Sequence, residues 1–373
     1  MWCKGKLHVL ASKNIRSCAL RTLCRTTTTE AFQSGVLKRC ISSPTASSNK
    51  ERQTTLRLWS DSGGYDAVSN PFDDLGAWHE AEAKSFLHNV SVESVGSSSN
   101  LGKKLVNEDR YKLLELDPDL YYFAVFDGHG GSEAVDFVHN RLHKIIKRLH
   151  KNNKDLEEIL AAAFEECNHE LEKHIRFLIS EKGHHPSIAG GGTTATVTLL
   201  RDGLELAVAS VGDSRALLCR NGNTICLTND HHPVRADEHE RIVSHNGWVD
   251  WESNHIPRVN GRLAMTRSLG DFDVKPFGVI ATPETTVLKI DHKSDAFLEL
   301  HTDGVSHVMS SNELGFLVRM CSDPEQAANT LTSCALQYGT EDNVTAIVVP
   351  LGAWGKYCSH NFMRNNIMRI NCI

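Results

Sequence analysis

The sequence predicts an α+β domain of stacked antiparallel sheets with helices on their outer faces. Two long stretches, 132–150 and 155–180, carry apolar residues at the three- and four-residue spacing of an amphipathic helix. Short apolar and β-branched runs separated by turn sequences follow them, a pattern typical of antiparallel strands. Because the helix and strand signals segregate along the chain, we expect sheets packed on each other and covered by helices.

The early elements are each indicated by their own residues. Both helices have one apolar face, formed by Val135, Val138, Leu142, Ile145, Ile146 and Leu149 in the first and by Leu156, Ile159, Leu160, Ala163, Phe164, Cys167, Leu171, Ile175 and Leu178 in the second. Strands are expected at Thr194–Leu200, Leu204–Val211, Arg215–Cys219 and Thr224–Leu227. Their links predict hairpins in one antiparallel meander, and these links are Asp202-Gly203, Gly212-Asp213-Ser214 and Asn221-Gly222-Asn223.

Two later helices have well-marked ends in the sequence. Ser310-x-x-Glu313 has the spacing of a capping box, which predicts that a helix begins there. Asp323-Pro324 supplies an N-cap and a proline at the first helical position, and Gly339 is expected to end that helix. A last apolar strand is expected at Val344–Val349.

The start of the chain differs in charge from the rest. Residues 1–60 contain eleven Lys and Arg but two acids, so they carry +9, whereas the remainder of a chain with net charge −6 carries −15. A basic, Ser- and Thr-rich start with no acid before Glu30 is typical of an organelle transit peptide, although a disordered basic tail is the alternative. We expect 1–85 to be a mitochondrial transit peptide and disordered linker, 86–352 the catalytic domain, and 353–373 a C-terminal tail.

Composition excludes several classes of protein. The acidic body lacks the clustered Lys and Arg of a nucleic-acid surface, and no apolar run reaches the ~18–20 residues that span a bilayer. No Cys-x-x-Cys pair occurs, which argues against a zinc ribbon or a redox motif. Cys358 and Arg364 have the spacing of a cysteine-phosphatase loop. No glycine lies between them to turn backbone amides onto a phosphate, so we interpret this match as chance.

Acidic motifs near the ends of strand-like runs are the main functional signal. They are Asn107-Glu108-Asp109, Asp127-Gly128-His129, Gly212-Asp213-Ser214, Asp303-Gly304 and Glu341-Asp342-Asn343. Each motif alone is more often a turn or a solvated loop. Together they indicate a metal site, because clustered anions need a cation between them and Mg²⁺ and Mn²⁺ take oxygen ligands. The set therefore predicts metal-assisted hydrolysis.

Other candidate residues leave alternatives open. His129 lies among glycines and is either a turn residue or a general acid, since histidine titrates near neutral pH. Gly190-Gly191-Gly192 is not expected to be a phosphate loop, because no Gly-Lys-Ser/Thr follows it. His231-His232 lacks helical ligand spacing and is interpreted as part of a solvated loop. Arg262 and Arg267 suit phosphate contact, but structural ion pairs are the commoner use of arginine.

In their order along the chain, these motifs resemble those of the 2C-type, metal-dependent (PPM) protein serine/threonine phosphatases. The matching pieces fall within about 85–352 and are Asn107-Glu108-Asp109-Arg110, Phe126-Asp127-Gly128-His129-Gly130-Gly131, Gly192-Thr193-Thr194-Ala195, Gly212-Asp213-Ser214-Arg215, Leu263-Ala264-Met265-Thr266-Arg267-Ser268-Leu269-Gly270-Asp271, Thr302-Asp303-Gly304 and Glu341-Asp342-Asn343. The resemblance implies a four-layer αββα sandwich of two antiparallel sheets flanked by helices, with metals in a cleft at one end.

The resemblance also implies roles for the acidic residues. Asp127 would bridge two Mn²⁺ or Mg²⁺ ions that hold the attacking water between them. Asp303 and Asp342 would complete one of the two metal sites. No covalent enzyme intermediate is then needed, which agrees with the lack of a convincing cysteine nucleophile.

Five further residues receive roles by the same motif match. Glu108 and the Gly128 carbonyl would serve the second metal site, with Asp109 adjacent. Asp213 would belong to a weaker third site. His129 would protonate the leaving serine or threonine oxygen.

Two positions depart from the family's pattern. Lys104 stands where the family usually has an arginine that clamps the phosphate, and it is the candidate for that role here. Because a lysine supplies charge without a bidentate fork, weaker phosphate binding is expected. His307 stands where many members have a further aspartate, which leaves the occupancy of the third metal site open.

Other stretches resemble a mitochondrial branch of the family that acts on the branched-chain α-keto acid dehydrogenase complex. These are 200–203, 337–343 and 352–357. Together with the transit-like start, they imply a phosphatase of the mitochondrial matrix with that complex as phosphoprotein substrate. The alternative is a catalytically weakened phosphatase-fold protein that binds or regulates phosphoproteins. A phosphodiesterase or nuclease lacks the basic surface that its substrate requires.

Overall fold

The computed structural model describes residues 90–152, 155–251 and 256–358, all within one compact unit. The predicted transit peptide and linker, 1–85, and the predicted tail beyond 358 lie outside the described residues. The helices are α1 Glu133–His150, α2 Leu156–Lys182, α3 Ala236–Ser244, α4 Asp303–Ser306, α5 Ser311–Arg319, α6 Pro324–Gln337 and α7 Trp354–Tyr357. The strands are β1 Gly96–Asn100, β2 Asp109–Asp117, β3 Leu120–His129, β4 Gly192–Thr193, β5 Ala195–Arg201, β6 Glu205–Val211, β7 Arg215–Arg220, β8 Asn223–Cys226, β9 Val249–Asp250, β10 Arg258–Val259, β11 Leu269–Gly270, β12 Glu284–Lys289, β13 Asp295–His301 and β14 Val344–Pro350.

Twelve of the strands form two antiparallel sheets that stack on each other, and β9 and β10 pair as a separate two-stranded sheet. The first sheet has the order β11-β4-β3-β5-β6-β12, with β2 also paired to β3, and the second has the order β1-β14-β13-β7-β8. Helices α1 and α2 pack on the outer face of the first sheet, and α5 and α6 pack on that of the second. The predicted α+β fold of two antiparallel sheets flanked by helices is confirmed.

Side chains that alternate between the two faces of the central strands form three apolar layers. In β3, Tyr122 and Phe126 face the helices of the first sheet, whereas Phe123 and Val125 face the second sheet. In β14, Val348 belongs to the layer under α5 and α6. All five side chains are buried, so the period of two along each strand fills a core on both faces of the sheet.

Local signals place the helix ends as the sequence predicts. Helices α1 and α2 begin and end within two residues of the predicted bounds. Ser310 and Glu313 form the capping box of α5, and Asp323 caps α6 by accepting from the N–H of Gln326. Gly339 follows α6 with a φ of 90°, which is the conformation that ends many helices. None of the helices in the described residues combines the length and the apolar character needed to cross a bilayer.

The predicted single meander is wrong at Gly212-Asp213-Ser214, where the chain passes from the first sheet to the second. Strand β6 pairs with β5 and β12, whereas β7 pairs with β8 and β13. Gly212 has a φ of 98°, and a Cβ there would lie 2.6 Å from Thr194 Cγ2. His231, expected in a solvated loop, is instead fully buried against this crossover and accepts a hydrogen bond from the Gly212 N–H at 3.1 Å.

A buried charge cluster anchors α3 to the sandwich. Glu238 is fully buried, and its carboxylate accepts hydrogen bonds from Arg241, Arg267 and the Thr266 hydroxyl. Burial alone would raise the pKa of Glu238, but these hydrogen bonds hold it well below its ordinary value. Arg267, a candidate for phosphate contact from the sequence, is therefore committed to a structural ion pair.

Glu238→Gln is expected to destabilise the fold by about 3–5 kcal/mol, because it leaves the guanidinium groups of Arg241 and Arg267 without their buried anion. The lowered pKa of Glu238 contributes stability that is present above the ordinary glutamate pKa of about 4.3 and is lost as the pH falls toward the folded value. Urea unfolding at several pH values measures both effects, and the wild-type free energy of unfolding should fall more steeply in acid than that of the variant.

Asp237→Asn is the matched control for this substitution. Asp237 pairs with Arg235 at 2.6 Å, but 61% of its side chain is exposed. An exposed pair of this kind contributes at most about 1 kcal/mol, so the control should lose little stability. Equal losses in the two variants would contradict the role assigned to burial of Glu238.

Candidate metal centre and active site

The predicted acidic residues meet at one end of the sandwich. Strand register places Asp109 of β2 opposite Asp127 of β3, and Asp303, which begins α4, is separated from the end of β13 by one residue. Asp342 precedes β14, and Asp213 lies in the crossover between the sheets. The charges that act on Asp127 include those of Asp303, Asp109 and Asp213, so carboxylates carried by both sheets share one region.

Crowding and burial raise the pKa of these carboxyl groups. Burial, followed by repulsion from Asp303 and Asp109, raises the pKa of Asp127 well above its ordinary value. Burial raises the pKa of Asp109 to about 7. Burial and then repulsion from Asp303 raise the pKa of Asp213 to about 6. The ionised forms of these groups therefore require a positive charge close by.

Asp109 joins the two sheets through one carboxylate oxygen. The Thr302 hydroxyl donates to Asp109 Oδ2 at 2.8 Å, and the Thr345 hydroxyl donates to the same oxygen at 2.7 Å. Asp109 belongs to the first sheet, whereas Thr345 lies in β14 of the second and Thr302 follows β13. These two bonds fix the end of one sheet against the other.

The chemistry of the site fits divalent cations. Asp213 Oδ1 and Asp303 Oδ1 are buried and have no hydrogen-bond partner among the described residues. An unsatisfied buried carboxylate oxygen costs free energy until a proton or a cation satisfies it. Because hard cations such as Mg²⁺ and Mn²⁺ prefer oxygen ligands, a set made of carboxylates suits them.

Glu108 and Gly128 come into close contact beside these carboxylates. The Gly131 N–H donates to Glu108 Oε1 at 2.8 Å, and the Glu108 N–H donates to Asn343 Oδ1 at 3.0 Å. A Cβ on Gly128 would come within 2.7 Å of the Glu108 carbonyl oxygen. Glycine at 128 therefore permits a backbone approach that any larger residue would prevent.

Lys104 pairs with one of the predicted metal ligands. Its Nζ forms an ion pair with Asp342 Oδ1. Burial lowers the pKa of Lys104, but the hydrogen bond and charge of Asp342, with the charge of Asp127, raise it above its ordinary value overall. The neighbouring Lys103 instead pairs with Glu341 at 2.9 Å, where both side chains are exposed. Of these two lysines, Lys104 is the one that brings a positive charge to the carboxylates.

The His129 ring contacts the carboxylate of Asp271, a residue that received no role from the sequence. His129 Nε2 lies 2.8 Å from Asp271 Oδ1 and 3.0 Å from Oδ2. Burial lowers the pKa of His129, but the charge of Asp271 and its hydrogen bond raise it overall. The sequence signal for Asp271 was its place at the end of the matched motif that begins at Leu263, since no strand was predicted at β11.

Two further histidines border the carboxylates. His232 Nδ1 lies 3.9 Å from Asp213 Oδ2, and its Nε2 lies 3.5 Å from Asp230 Oδ2. The hydrogen bond with Asp230 raises the pKa of His232 to about 9, so at neutral pH a positive charge stands beside Asp213. His307 Nδ1 lies 3.5 Å from Asp303 Oδ2, in the position where the family often has an aspartate. From the sequence, His232 was interpreted as part of a solvated loop, and His307 was noted as a departure from the family's aspartate.

Two other groups of reactive side chains lie outside this site. In the part of the chain that the structure describes, Asp237, Glu238 and Glu284 bring carboxylate oxygens within 4.8 Å of one another. Arginines already bond all three, so this is an ion-pair cluster and not a metal centre.

Cys358 is buried and burial raises its pKa, which argues against a thiolate nucleophile. Arg364, the other half of that cysteine-loop match, lies outside the described residues.

The chain is similar to known phosphatases in sequence and in fold. The family model described as protein phosphatase 2C matches residues 93–344. Mitochondrial protein phosphatase 1K of Xenopus laevis is 50% identical over 273 residues, which cover 73% of this chain and 72% of that protein. Probable protein phosphatase 2C 59 of Arabidopsis thaliana is 36% identical over 259 residues, or 69% of this chain and 79% of that one. The crystal structure of serine-threonine phosphatase 2C from Toxoplasma gondii has a TM-score of 0.61 at 22% identity, covering 69% of this chain and 94% of its own.

Mn²⁺ is expected to stabilise the folded chain, because it neutralises buried carboxylates that the unfolded chain does not bring together. At 100 times its Kd, a cation of this kind adds about 2.7 kcal/mol to the free energy of unfolding. Asp303→Asn removes one of the repelling charges, so it should raise the melting temperature in EDTA and reduce the shift that Mn²⁺ produces. Thermal unfolding with and without Mn²⁺ measures both.

Glu341→Gln is the control for this experiment, because the Glu341 carboxylate pairs with the exposed Lys103 next to the site. This variant should keep the full Mn²⁺ shift. A wild-type melting temperature that does not respond to Mn²⁺ would contradict the metal centre.

Proposed function

The chain belongs to the protein phosphatase 2C family and is a protein serine/threonine phosphatase, and we propose that it hydrolyses phosphoserine and phosphothreonine where the carboxylates of both sheets meet. The observation that carries this proposal is the pair of buried oxygens of Asp213 and Asp303, which have no hydrogen-bond partner in the part of the chain that the structure describes. Catalysis of phosphoryl transfer depends mainly on neutralising charge and positioning the reacting groups, and a site of this kind can do both.

The proposed ligands are the acids at the end of the sandwich. Two Mn²⁺ or Mg²⁺ ions would be held by Asp127, Asp303, Asp342, Glu108, Asp109 and the carbonyl oxygen of Gly128. Asp213 would belong to a weaker third site. When bound, such cations would neutralise charge on phosphoryl oxygens and would lower the pKa of a water, so that it could lose a proton and attack phosphorus as hydroxide. The oxygen donors and the raised pKa of Asp127 support this assignment.

Two basic side chains would act on the substrate itself. Lys104, which lies beside Asp342, would bind the phosphoryl oxygens through its ammonium group. His129 would donate a proton to the serine or threonine oxygen as the bond from phosphorus to that oxygen breaks. The ring of His129 is held by Asp271, so it is oriented before the substrate binds.

The proposed substrate is the branched-chain α-keto acid dehydrogenase complex in the mitochondrial matrix. The Xenopus laevis relative is named mitochondrial, and residues 1–60 have the charge of a transit peptide. The stretches 200–203, 337–343 and 352–357 add the resemblance to the branch that acts on this complex. Residues 1–85 would direct import, and 86–352 would carry catalysis.

Phosphate release from a phosphoserine peptide tests the proposed reaction. The purified chain should be active with Mn²⁺ and inactive with EDTA, and Asp303→Asn should lower kcat/KM by about 100-fold or more, the loss typical for removal of an electrostatic stabiliser. Activity that is undiminished in EDTA, or a kcat/KM of the variant close to that of the wild type, would contradict the mechanism. Peptide binding without turnover would instead favour the weakened phosphatase-fold protein.

Two measurements test the substrate and the location. Phosphate release from the phosphorylated dehydrogenase complex should exceed that from an unrelated matrix phosphoprotein at equal concentration. A fluorescent protein fused after residue 85 should enter the matrix, whereas a fusion that lacks 1–60 should not. Equal rates on the two phosphoproteins would contradict the proposed substrate but not the proposed reaction.

Lys104→Arg is expected to lower the KM for the phosphoserine peptide, because a guanidinium group can bind two phosphoryl oxygens at once. The gain in binding is on the order of 1–2 kcal/mol, or about 5- to 30-fold in KM. Lys103→Arg is the matched control, since Lys103 is the next residue but pairs with exposed Glu341. An unchanged or higher KM in Lys104→Arg would argue against Lys104 as the phosphate ligand.

A further inference from the structure

Asp271 contacts the proposed general acid, His129, from the turn that follows β11. Within the described residues, the hydrogen bonds of the His129 ring all use Nε2, which lies 2.8 and 3.0 Å from the two Asp271 oxygens. Of the two side chains, 27% of His129 and 3% of Asp271 are exposed. The ring is therefore held on its Nε2 side by a buried carboxylate, and Nδ1 is the nitrogen left for a substrate.

The backbone of Asp271 has a conformation that few residues adopt. Its φ is 53°, in the left-handed region where Asp and Asn are tolerated better than most side chains. Its N–H donates to the Gly191 carbonyl at 2.9 Å, and its carbonyl accepts from the N–H groups of Val274 and Lys275 at 3.0 and 3.2 Å. Such a conformation persists where the surroundings hold it in place, and functional sites are a common location.

Gly192 makes room for the Asp271 carboxylate. A Cβ on Gly192 would lie 2.1 Å from Asp271 Oδ2, so a larger residue would displace that oxygen from the His129 ring. Gly192 of β4 is the register partner of both His129 in β3 and Gly270 in β11. The pairing of three strands thus brings the histidine and the aspartate to the same edge of the first sheet.

We propose that Asp271 is a positioning residue for hydrolysis: it accepts the Nε2–H of His129, so that Nδ1–H faces the leaving oxygen of the substrate. This inference rests on the phosphatase reaction proposed above. A water oxygen bonds to phosphorus, the bond from phosphorus to the serine or threonine oxygen breaks, and that oxygen takes the proton from Nδ1. The water gives a proton to solvent and His129 regains one from solvent, so protons balance over the cycle.

Asp271→Asn tests the contact while keeping a side chain that tolerates a positive φ. On a phosphoserine peptide, kcat should fall about 10- to 100-fold, inside the ~10²–10⁴-fold range that a general acid supplies. On p-nitrophenyl phosphate, whose leaving group needs no proton, kcat should fall about threefold or less. Equal losses on the two substrates would overturn the proposal.

A double-mutant cycle with His129→Ala shows whether Asp271 acts through the histidine. The loss from Asp271→Asn on the phosphoserine peptide should disappear in the His129→Ala background, because the proton donor that Asp271 orients is gone. A loss of the same size in that background would also overturn the proposal. Melting temperatures and Mn²⁺ binding of each variant separate this effect from unfolding or loss of metal.

Asp117→Asn is a matched control that breaks another contact between histidine and aspartate. His150 Nδ1 lies 3.1 Å from Asp117 Oδ2, and Asp117 ends β2 at the opposite end of the strand from Asp109. This variant should keep wild-type kcat on both substrates. A selective loss on the phosphoserine peptide in Asp117→Asn would show that the substrate ratio reports general damage, and would remove the support for Asp271.

The ring tautomer gives a readout that does not depend on turnover. Long-range ¹H–¹⁵N spectra of the full chain with Mg²⁺, compared with those of His129→Ala, identify the signals of His129. The neutral ring should carry its single proton on Nε2, and a neutral ring whose single proton is on Nδ1 would overturn the proposal. If the wild-type chain releases no phosphate, the proposed function fails, and the tautomer still decides whether Asp271 positions His129.

Discussion

Repulsion among buried carboxylates governs the end of the sandwich where the site lies. Asp127, Asp109 and Asp303 bring negative charge from both sheets together, and burial with this repulsion raises the pKa of the first two. The scaffold tolerates this because rigid strands bury apolar layers on both of their faces. Lys104 and His232 place positive charge at the border, which reduces the repulsion before any cation binds.

Helices and most strands could be predicted because their signals are local, whereas sheet pairing could not. The capping box of Ser310 and Glu313 lies within one turn of chain, so the sequence alone marks it. Gly212 has the same turn chemistry in a hairpin and in a crossover, and only the packing of two sheets decides between them. Strand β2 had no prediction because Arg110 and Lys112 interrupt the apolar pattern of a half-exposed strand.

The same division applies to the site. Its acids could be chosen from the sequence because they lie near strand ends, and edges of paired strands bring such residues together. Contacts between distant side chains could not be inferred, since His129 and Asp271 are 142 residues apart and meet through the register of β3, β4 and β11. Lys104 was expected to be available to phosphate, but its ion pair with Asp342 depends on the fold of the loop before β14.

The hydrogen bonds from Thr302 and Thr345 to Asp109 have a consequence for ion selectivity. Asp127 lies in the first sheet, whereas Asp303 follows β13 and Asp342 precedes β14 of the second sheet. The distances between these acids therefore depend on the separation of the two sheets. Side chains such as Phe123 and Leu300 fill the layer between the sheets and set that separation. In the proposed metal centre, discrimination between cations of different ionic radius would therefore depend on the packing of the apolar core as well as on the ligands.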